Sequence, residues 1–333
     1  MLCLVTSGEV FASAGDRAQG FIHCVDLCKA QNCGADSTYA LPLVLRLTRW
    51  TCPDDCKYTC MHEVTDKDLF AGRAVEQYYG KWPFWRFLGM QEPASVAFSV
   101  LNLLAHWRGS NKLRASLPED HPMKTYYMRW AWVSINAWVW SSVFHTRDLP
   151  LTEKLDYFSA ALAILYGFYF TSIRLFHLYP PPKPSKLTLT NRPDKSYSRQ
   201  ILTTICSVAF FCHISYLTLL PRFDYTYNMA FNLIVGLSHN FMWTLYSLPA
   251  SLSLFRRFPS QPKKYRPRFV TQAAYFVFST TAVTALELLD FPPLLGVLDA
   301  HALWHLSTAP IALMWYEFLS EDSLDPSWRY QRL

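Results

Sequence analysis

Glycine is scarce in this chain, 11 residues in 333, and no stretch has the form of a phosphate-cradling loop. Nucleotide chemistry built on such a loop is therefore excluded. Charge is sparse as well: Asp, Glu, Lys and Arg together make up 17%, against 51% hydrophobic residues and 16% aromatics. A soluble domain of this size normally carries more charge and fewer rings. No asparagine begins an N-x-Ser/Thr sequon, so glycosylation gives no topological marker. Internal repeats are missing, and so are paired broken helices in matching halves, which argues against a transporter.

The apolar residues are gathered into runs of roughly twenty, the length that crosses a hydrocarbon core of about 30 Å. The sequence predicts an all-α membrane protein. Seven helices are expected, near 92–107, 126–146, 155–176, 200–220, 226–248, 268–289 and 297–318. His106 and Trp107 are expected to close the first of them early. Before them lies a polar segment with six of the nine cysteines: Cys24, Cys28, Cys33, Cys52, Cys56 and Cys60. A dense, even set in a short polar stretch reads as a disulfide framework facing an oxidising lumen. Its spacings lack the Cys-x2-Cys of zinc knuckles, and the sequence does not choose among the pairings.

The net charge of +6 suggests no nucleic-acid partner, because most basic residues sit in loops between apolar runs. Arg108, Lys112, Arg114 and Lys124 follow the first helix. Lys183, Lys186, Arg192, Lys195 and Arg199 follow the third, and Arg256, Arg257, Lys263, Lys264, Arg266 and Arg268 follow the fifth. The alternate loops hold only Arg147, Lys154 and Arg222. Lys/Arg excess marks cytosolic loops. Charges and cysteines thus agree on a lumenal N-terminus and a cytosolic C-terminus. The expected organisation is a degenerate or partial signal peptide at 1–14, a lumenal cysteine-rich head at 15–91, a seven-transmembrane domain at 92–320 and a cytosolic tail at 321–333. Ala12-Ser13-Ala14 has the form of a cleavage site, although Glu9 interrupts the apolar stretch and no basic n-region precedes it.

The chemistry is expected at two helix ends. Ser141 and His145 stand four apart at the end of the second helix, and Asp156 follows eleven residues later. His301 and His305 are again four apart at the start of the seventh. That spacing places both rings on one helix face, as a shared metal ion needs. Under the charge-based topology both clusters reach the same membrane depth. Three histidines with an open fourth position describe a catalytic zinc, which acidifies its water to a pKa of about 7 and polarises a carbonyl. Ionisable residues at membrane depth are costly and usually functional. The plainer alternatives are a coincidental histidine pair or a Ser141/His145/Asp156 triad, and the triad leaves His301 and His305 without a role. His213 is expected to pack or line a pocket; Asp224, Glu287 and Asp290 are expected to be solvated or to cap helices.

At these residues the sequence resembles the superfamily of seven-helix hydrolases that includes alkaline ceramidases and adiponectin-type receptors. Its strings Gly80-Lys81-Trp82-Pro83-Phe84, Gln91-Glu92-Pro93-Ala94-Ser95, Phe144-His145-Thr146-Arg147-Asp148, Arg222-Phe223-Asp224-Tyr225 and Leu286-Glu287-Leu288-Leu289-Asp290-Phe291-Pro292-Pro293 are most similar to the post-GPI-attachment-to-proteins factor three family of GPI-anchor remodelling phospholipases. The resemblance implies a multi-pass protein of the Golgi membrane, with the endoplasmic reticulum as alternative. It implies phospholipase A2-type hydrolysis of the sn-2 acyl ester of GPI-anchored proteins, with zinc on His145, His301 and His305 and with Ser141 and Asp156 beside it. A ceramidase-like amidase, or a receptor or scaffold with a structural zinc, are the alternative functions.

Overall fold

The computed structural model describes residues 13–34, 39–180 and 195–331. Most of the segment read as a signal peptide and most of the proline-broken linker at 180–199 lie outside those residues. Among the described residues the chain is helical, with isolated β-bridges and no strands. It divides into two compact units. The first takes in Met1–Val96, His145–Asp148 and Leu289–Ala302, and the second the remainder.

The first unit contains α1 (Ala14–Arg17), α2 (Gln19–Asn32), α3 (Leu43–Leu47) and α4 (Cys52–Phe70). Thr51 starts α4 with a capping box: its hydroxyl accepts from Asp54 N, and the Asp54 carboxylate accepts from Thr51 N at 3.1 Å. Three disulfides join α2 or its C-cap to α4: Cys24–Cys60, Cys28–Cys56 and Cys33–Cys52. Rising positions on one side meet falling positions on the other, about one helical turn per rung, so the two segments are antiparallel. All six thiols of the segment are consumed, which removes the zinc-knuckle alternative. The apolar core here is small, built on Phe21, Val25 and Tyr78, so covalent staples carry much of the stability.

A ring-and-cation stack supplements them. The Arg86 guanidinium lies 4.0 Å from the Tyr58 ring and 4.9 Å from Trp50, while Arg147 covers Trp50 at 4.5 Å and pairs with Asp54 at 2.8 Å. Such contacts are strengthened when desolvated. The buried His62 ring stacks on Trp85 at 3.9 Å and donates from Nε2 to the Phe84 carbonyl.

Among the described residues seven helices of 18 to 26 residues follow: α5 (Pro93–Ser116), α6 (Lys124–Thr146), α7 (Pro150–Leu175), α8 (Ser196–Leu219), α9 (Tyr225–Ser247), α10 (Val270–Glu287) and α11 (Ala300–Leu324). Their order agrees with the sequence reading, but several boundaries differ: α8 starts four residues early, α11 runs six residues past 318 into the segment read as the tail, and α5 and α7 differ as follows. Helix α5 does not stop at His106, because that ring is buried and bonded through Nδ1 to the Tyr316 hydroxyl at 3.0 Å. Helix α7 starts five residues early, since Pro150 fits the first turn and Leu149 N donates to the Thr152 hydroxyl. Two of the seven, α7 and α8, are long and apolar enough to cross a membrane by length and composition. In α8 only 11% of the apolar window is buried inside the protein, a surface suited to lipid rather than water.

Within the second unit, α7 packs on α8 and α9, and α9 on α10. The core is aromatic: Trp243 and Trp315 meet edge to face at 4.9 Å, and Phe276 stacks on Trp315 at 3.9 Å. One buried ion pair is set into it. Arg174 donates from Nε and Nη2 to both Asp322 oxygens at 2.7 Å, and the Tyr246 hydroxyl donates to the same carboxylate at 2.7 Å. His213 is buried, its ring stacked on Phe231 at 4.0 Å, which is the packing role expected of it. Asp224 caps α9 by accepting from Tyr227 N at 2.9 Å.

Candidate metal centre

The end of α6 and the start of α11 belong to the first unit, and there His145 and His301 come together. Their Nε2 atoms are 3.3 Å apart. Two ring nitrogens at that distance need a shared proton or cation between them. The other nitrogen of His145, Nδ1, faces the Glu92 carboxylate at 2.8 Å. Glu92 is buried and ion-paired to Lys81, which also meets Asp148 at 3.1 Å. Burial opposes ionisation of Glu92, but Lys81 and then His145 outweigh it and hold the carboxyl well below the usual range. Burial likewise opposes the Lys81 charge, which Glu92 and Asp148 restore, so its pKa is raised. An ionised carboxylate only accepts, so His145 donates from Nδ1, and in the neutral ring Nε2 carries the lone pair toward His301.

The backbone reinforces this arrangement. Gln91 N and Glu92 N donate to the carbonyls of Thr146 and His145, both at 3.0 Å, and Asp148 N donates to the Gln91 side chain at 3.2 Å. The strap before α5 is thereby tied to the last turn of α6. Asp299 caps α11 through Ala302 N at 2.8 Å, and Asp290 accepts from Trp82 Nε1 at 2.7 Å and from Gln77 at 3.0 Å.

Within the second unit, Ser99 on α5 bridges Ser141 and His305. Its Oγ is 2.9 Å from Ser141 Oγ and 2.9 Å from His305 Nδ1. Asn102 donates to the His305 carbonyl at 2.6 Å, and Trp138 meets the His305 ring edge to face at 5.2 Å. His305 is one turn beyond His301 on α11, and Ser141 one turn before His145 on α6, each pair roughly 6 Å apart along its helix. His145 and His301 of the first unit turn their Nε2 atoms toward each other, and His305 follows His301 by one turn along α11. Asp156 stands half-buried on the second turn of α7.

Glu92, Lys81 and Ser99 were not singled out from the sequence. A signal for Ser99 was available. Ser95, Ser99, Asn102 and His106 recur at helical spacing in an apolar helix and are all buried, which marks an inward polar stripe.

The sequence pattern of the Per1-like family matches residues 42–323. The chain belongs to that family. A protein of Xenopus tropicalis named "GPI-specific phospholipase A2-like PGAP3" is 42% identical over 327 residues, covering 97% of this chain and 94% of its own. A Homo sapiens protein of the same name is 40% identical over 329 residues, 97% and 94% of the two chains. The "Protein PER1 homolog" of Schizosaccharomyces pombe is 41% identical over 317 residues, 93% and 87%. No solved structure matches.

Proposed function

We propose that this Per1-like protein remodels GPI lipids by zinc-dependent hydrolysis of the sn-2 acyl ester. The names of its relatives support a role on GPI anchors with phospholipase-like activity. The observation that carries the zinc assignment is the Lys81–Glu92–His145–His301 chain. Three imidazoles, one of them held through Nδ1 by a buried carboxylate, are the donor set and the orienting partner that a zinc ion takes. The residues fit the ion, with His145, His301 and His305 as its ligands. Zinc held there supplies Lewis acidity toward the ester carbonyl and acidity to water.

The chain's own residues complete the reaction. Asp156 accepts the proton of the attacking water as its oxygen bonds to the carbonyl carbon. Ser141, fixed by Ser99, donates a hydrogen bond to the carbonyl oxygen as it gains charge, a contact commonly worth about 3 kcal/mol in a dry site. The ester C–O bond then breaks, and the departing lyso-lipid oxygen takes the proton from Asp156. Fatty acid and lyso-lipid leave.

In this reading all seven long helices cross the bilayer, and the paired cysteines face an oxidising lumen of the Golgi. The kinship with alkaline ceramidases and adiponectin-type receptors belongs to the same proposal. Purified protein carrying Ser141→Ala or Asp156→Ala tests it. Each variant is expected to keep its zinc and lose fatty-acid release from a GPI lipid. Release at the normal rate from both would remove these residues from the mechanism. Release from ceramide in preference to the ester would instead identify an amidase.

A further inference from the structure

Three tight turns in the first unit are built from unusual residues. A type I′ hairpin turn needs φ > 0 at both central positions, which Asn or Asp followed by Gly normally supply. Here the first positions are Tyr79, Leu88 and Leu295, at φ 53°, 48° and 55°, each followed by a glycine at φ 69° to 79°. Reciprocal backbone bonds close the first two turns, Tyr78 with Lys81 and Phe87 with Met90, and Leu294 pairs with Leu298 across the third. Leucine gains nothing from the left-handed region, where its Cβ crowds the backbone. Neither does it gain from water, yet Leu88 is 63% exposed and Leu295 95%. Strained, exposed leucines at two turn tips call for a compensating contact.

Tyr79 has one already. Its ring lies 6.0 Å from Phe21, with the Lys57 ammonium 5.0 Å away. The two leucine turns instead join a larger apolar surface. Trp85 N donates to Gly296 O at 2.8 Å, which sets the turns side by side. Gly89 presses on α3, where an added Cβ would stand 2.3 Å from Thr48 Oγ1. Leu43 and Leu47 on α3 and Phe87, Leu88, Leu294 and Leu295 in the two turns are all exposed.

Both leucine turns lie close in the chain to helices of membrane length. Leu88 is five residues before Pro93, the first residue of α5, and Leu295 five before Ala300, the first of α11. Five residues reach at most roughly 17 Å, and the headgroup layer beside the hydrocarbon core is roughly 5–8 Å deep. We propose that the Leu88 and Leu295 turns form a lipid-contacting lip, entering the headgroup–acyl boundary of the bilayer beside the starts of α5 and α11. The inference rests on the reading that these helices cross the membrane. It places apolar tips next to the helix start that carries His301, where a lipid substrate would leave its leaflet.

The test uses the full chain in phosphatidylcholine nanodiscs, with Cys3, Cys206 and Cys212 replaced by serine. Single Leu88→Cys, Leu295→Cys, Tyr79→Cys and Leu104→Cys variants carry a bimane probe. Probes at positions 88 and 295 are expected to be quenched by lipid bearing a doxyl group near its headgroup and shielded from aqueous iodide. The probe at position 79 is expected to show the reverse. Iodide quenching at 88 and 295 as strong as at 79 overturns the lip. Leu104, on the exposed face of α5, separates the two failures. Lipid quenching at 104 with wet tips leaves the spanning helix standing, whereas iodide access at 104 removes the membrane reading itself.

Discussion

Replacing Glu92 by glutamine changes few atoms and a large part of the local electrostatics. The Glu92 carboxylate is buried, accepts from His145 Nδ1 at 2.8 Å and is ion-paired to Lys81. The amide keeps the shape and an acceptor oxygen, but it can also present an NH2 to the ring, and it no longer offsets the Lys81 charge. Loss of a carboxylate partner from a metal-ligating histidine typically weakens metal binding about 10- to 100-fold, roughly 1.4–2.7 kcal/mol. The fold loses one charge-assisted hydrogen bond to a buried group, about 1.5–3 kcal/mol. Lys81 keeps Asp148 at 3.1 Å, which argues for the lower end of that range. Chelator titration of zinc from purified Glu92→Gln, beside thermal unfolding of the same sample, reads both quantities. Lys81→Met serves as the contrasting variant: it lowers stability but leaves the carboxylate on His145, so zinc retention is expected to hold. Wild-type zinc retention in Glu92→Gln would refute the orienting role. Equal zinc loss in both variants would show that the network acts only by holding the fold.

Three further outcomes are expected. Asp322→Ala leaves the buried Arg174 guanidinium without its bidentate partner, a loss of about 3–5 kcal/mol; thermal unfolding in detergent should show it, and Arg174→Met/Asp322→Leu should recover most of it. A Cβ on Gly109 would stand 2.0 Å from the buried Tyr316 ring, so Gly109→Ala is expected to cost about 1–3 kcal/mol of overpacking, partly restored by adding Tyr316→Leu; no destabilisation would mean that α5 and α11 can separate freely there. His62 is kept neutral, because burial lowers its pKa despite the Phe84 carbonyl and Asp66. The stability it allows is complete above the ordinary histidine value of about 6.5 and is lost as pH falls through it. Protease resistance of the disulfide-linked head should therefore begin to drop as pH falls below about 6.5 and go on dropping until the lowered native value is passed, and His62→Phe, which keeps the stack on Trp85, should flatten that response.

The helix count was legible because apolar runs alternate with polar loops, although only α7 and α8 are long and apolar enough to cross a membrane by length and composition, and the histidine spacing was legible because i and i+4 share a helix face. The structure adds what no local pattern contains. The pairing of Cys24 with Cys60 and its two neighbouring rungs depends on α2 and α4 running antiparallel. Glu92 looks like an ordinary acidic residue before a helix until the backbone strap from Gln91 to Thr146 brings it to His145. Asp290, expected to be solvated or capping, is exposed and also accepts hydrogen bonds from Trp82 and Gln77. Several strings behind the family resemblance turn out to touch one another in the first unit: Lys81 meets Glu92, Glu92 meets His145, and Trp82 meets Asp290. Their separation in sequence hid a single network.

Zinc held by three histidines on α6 and α11 and serving lipid hydrolysis can be put to one experiment. Metal content and fatty-acid release from a GPI lipid are measured on one detergent-purified sample beside a His301→Ala/His305→Ala variant. About one zinc per chain with ester hydrolysis is expected in the native protein, and loss of both in a variant that still folds. Folded native protein without metal, or a variant that hydrolyses as well as the native chain, would contradict it.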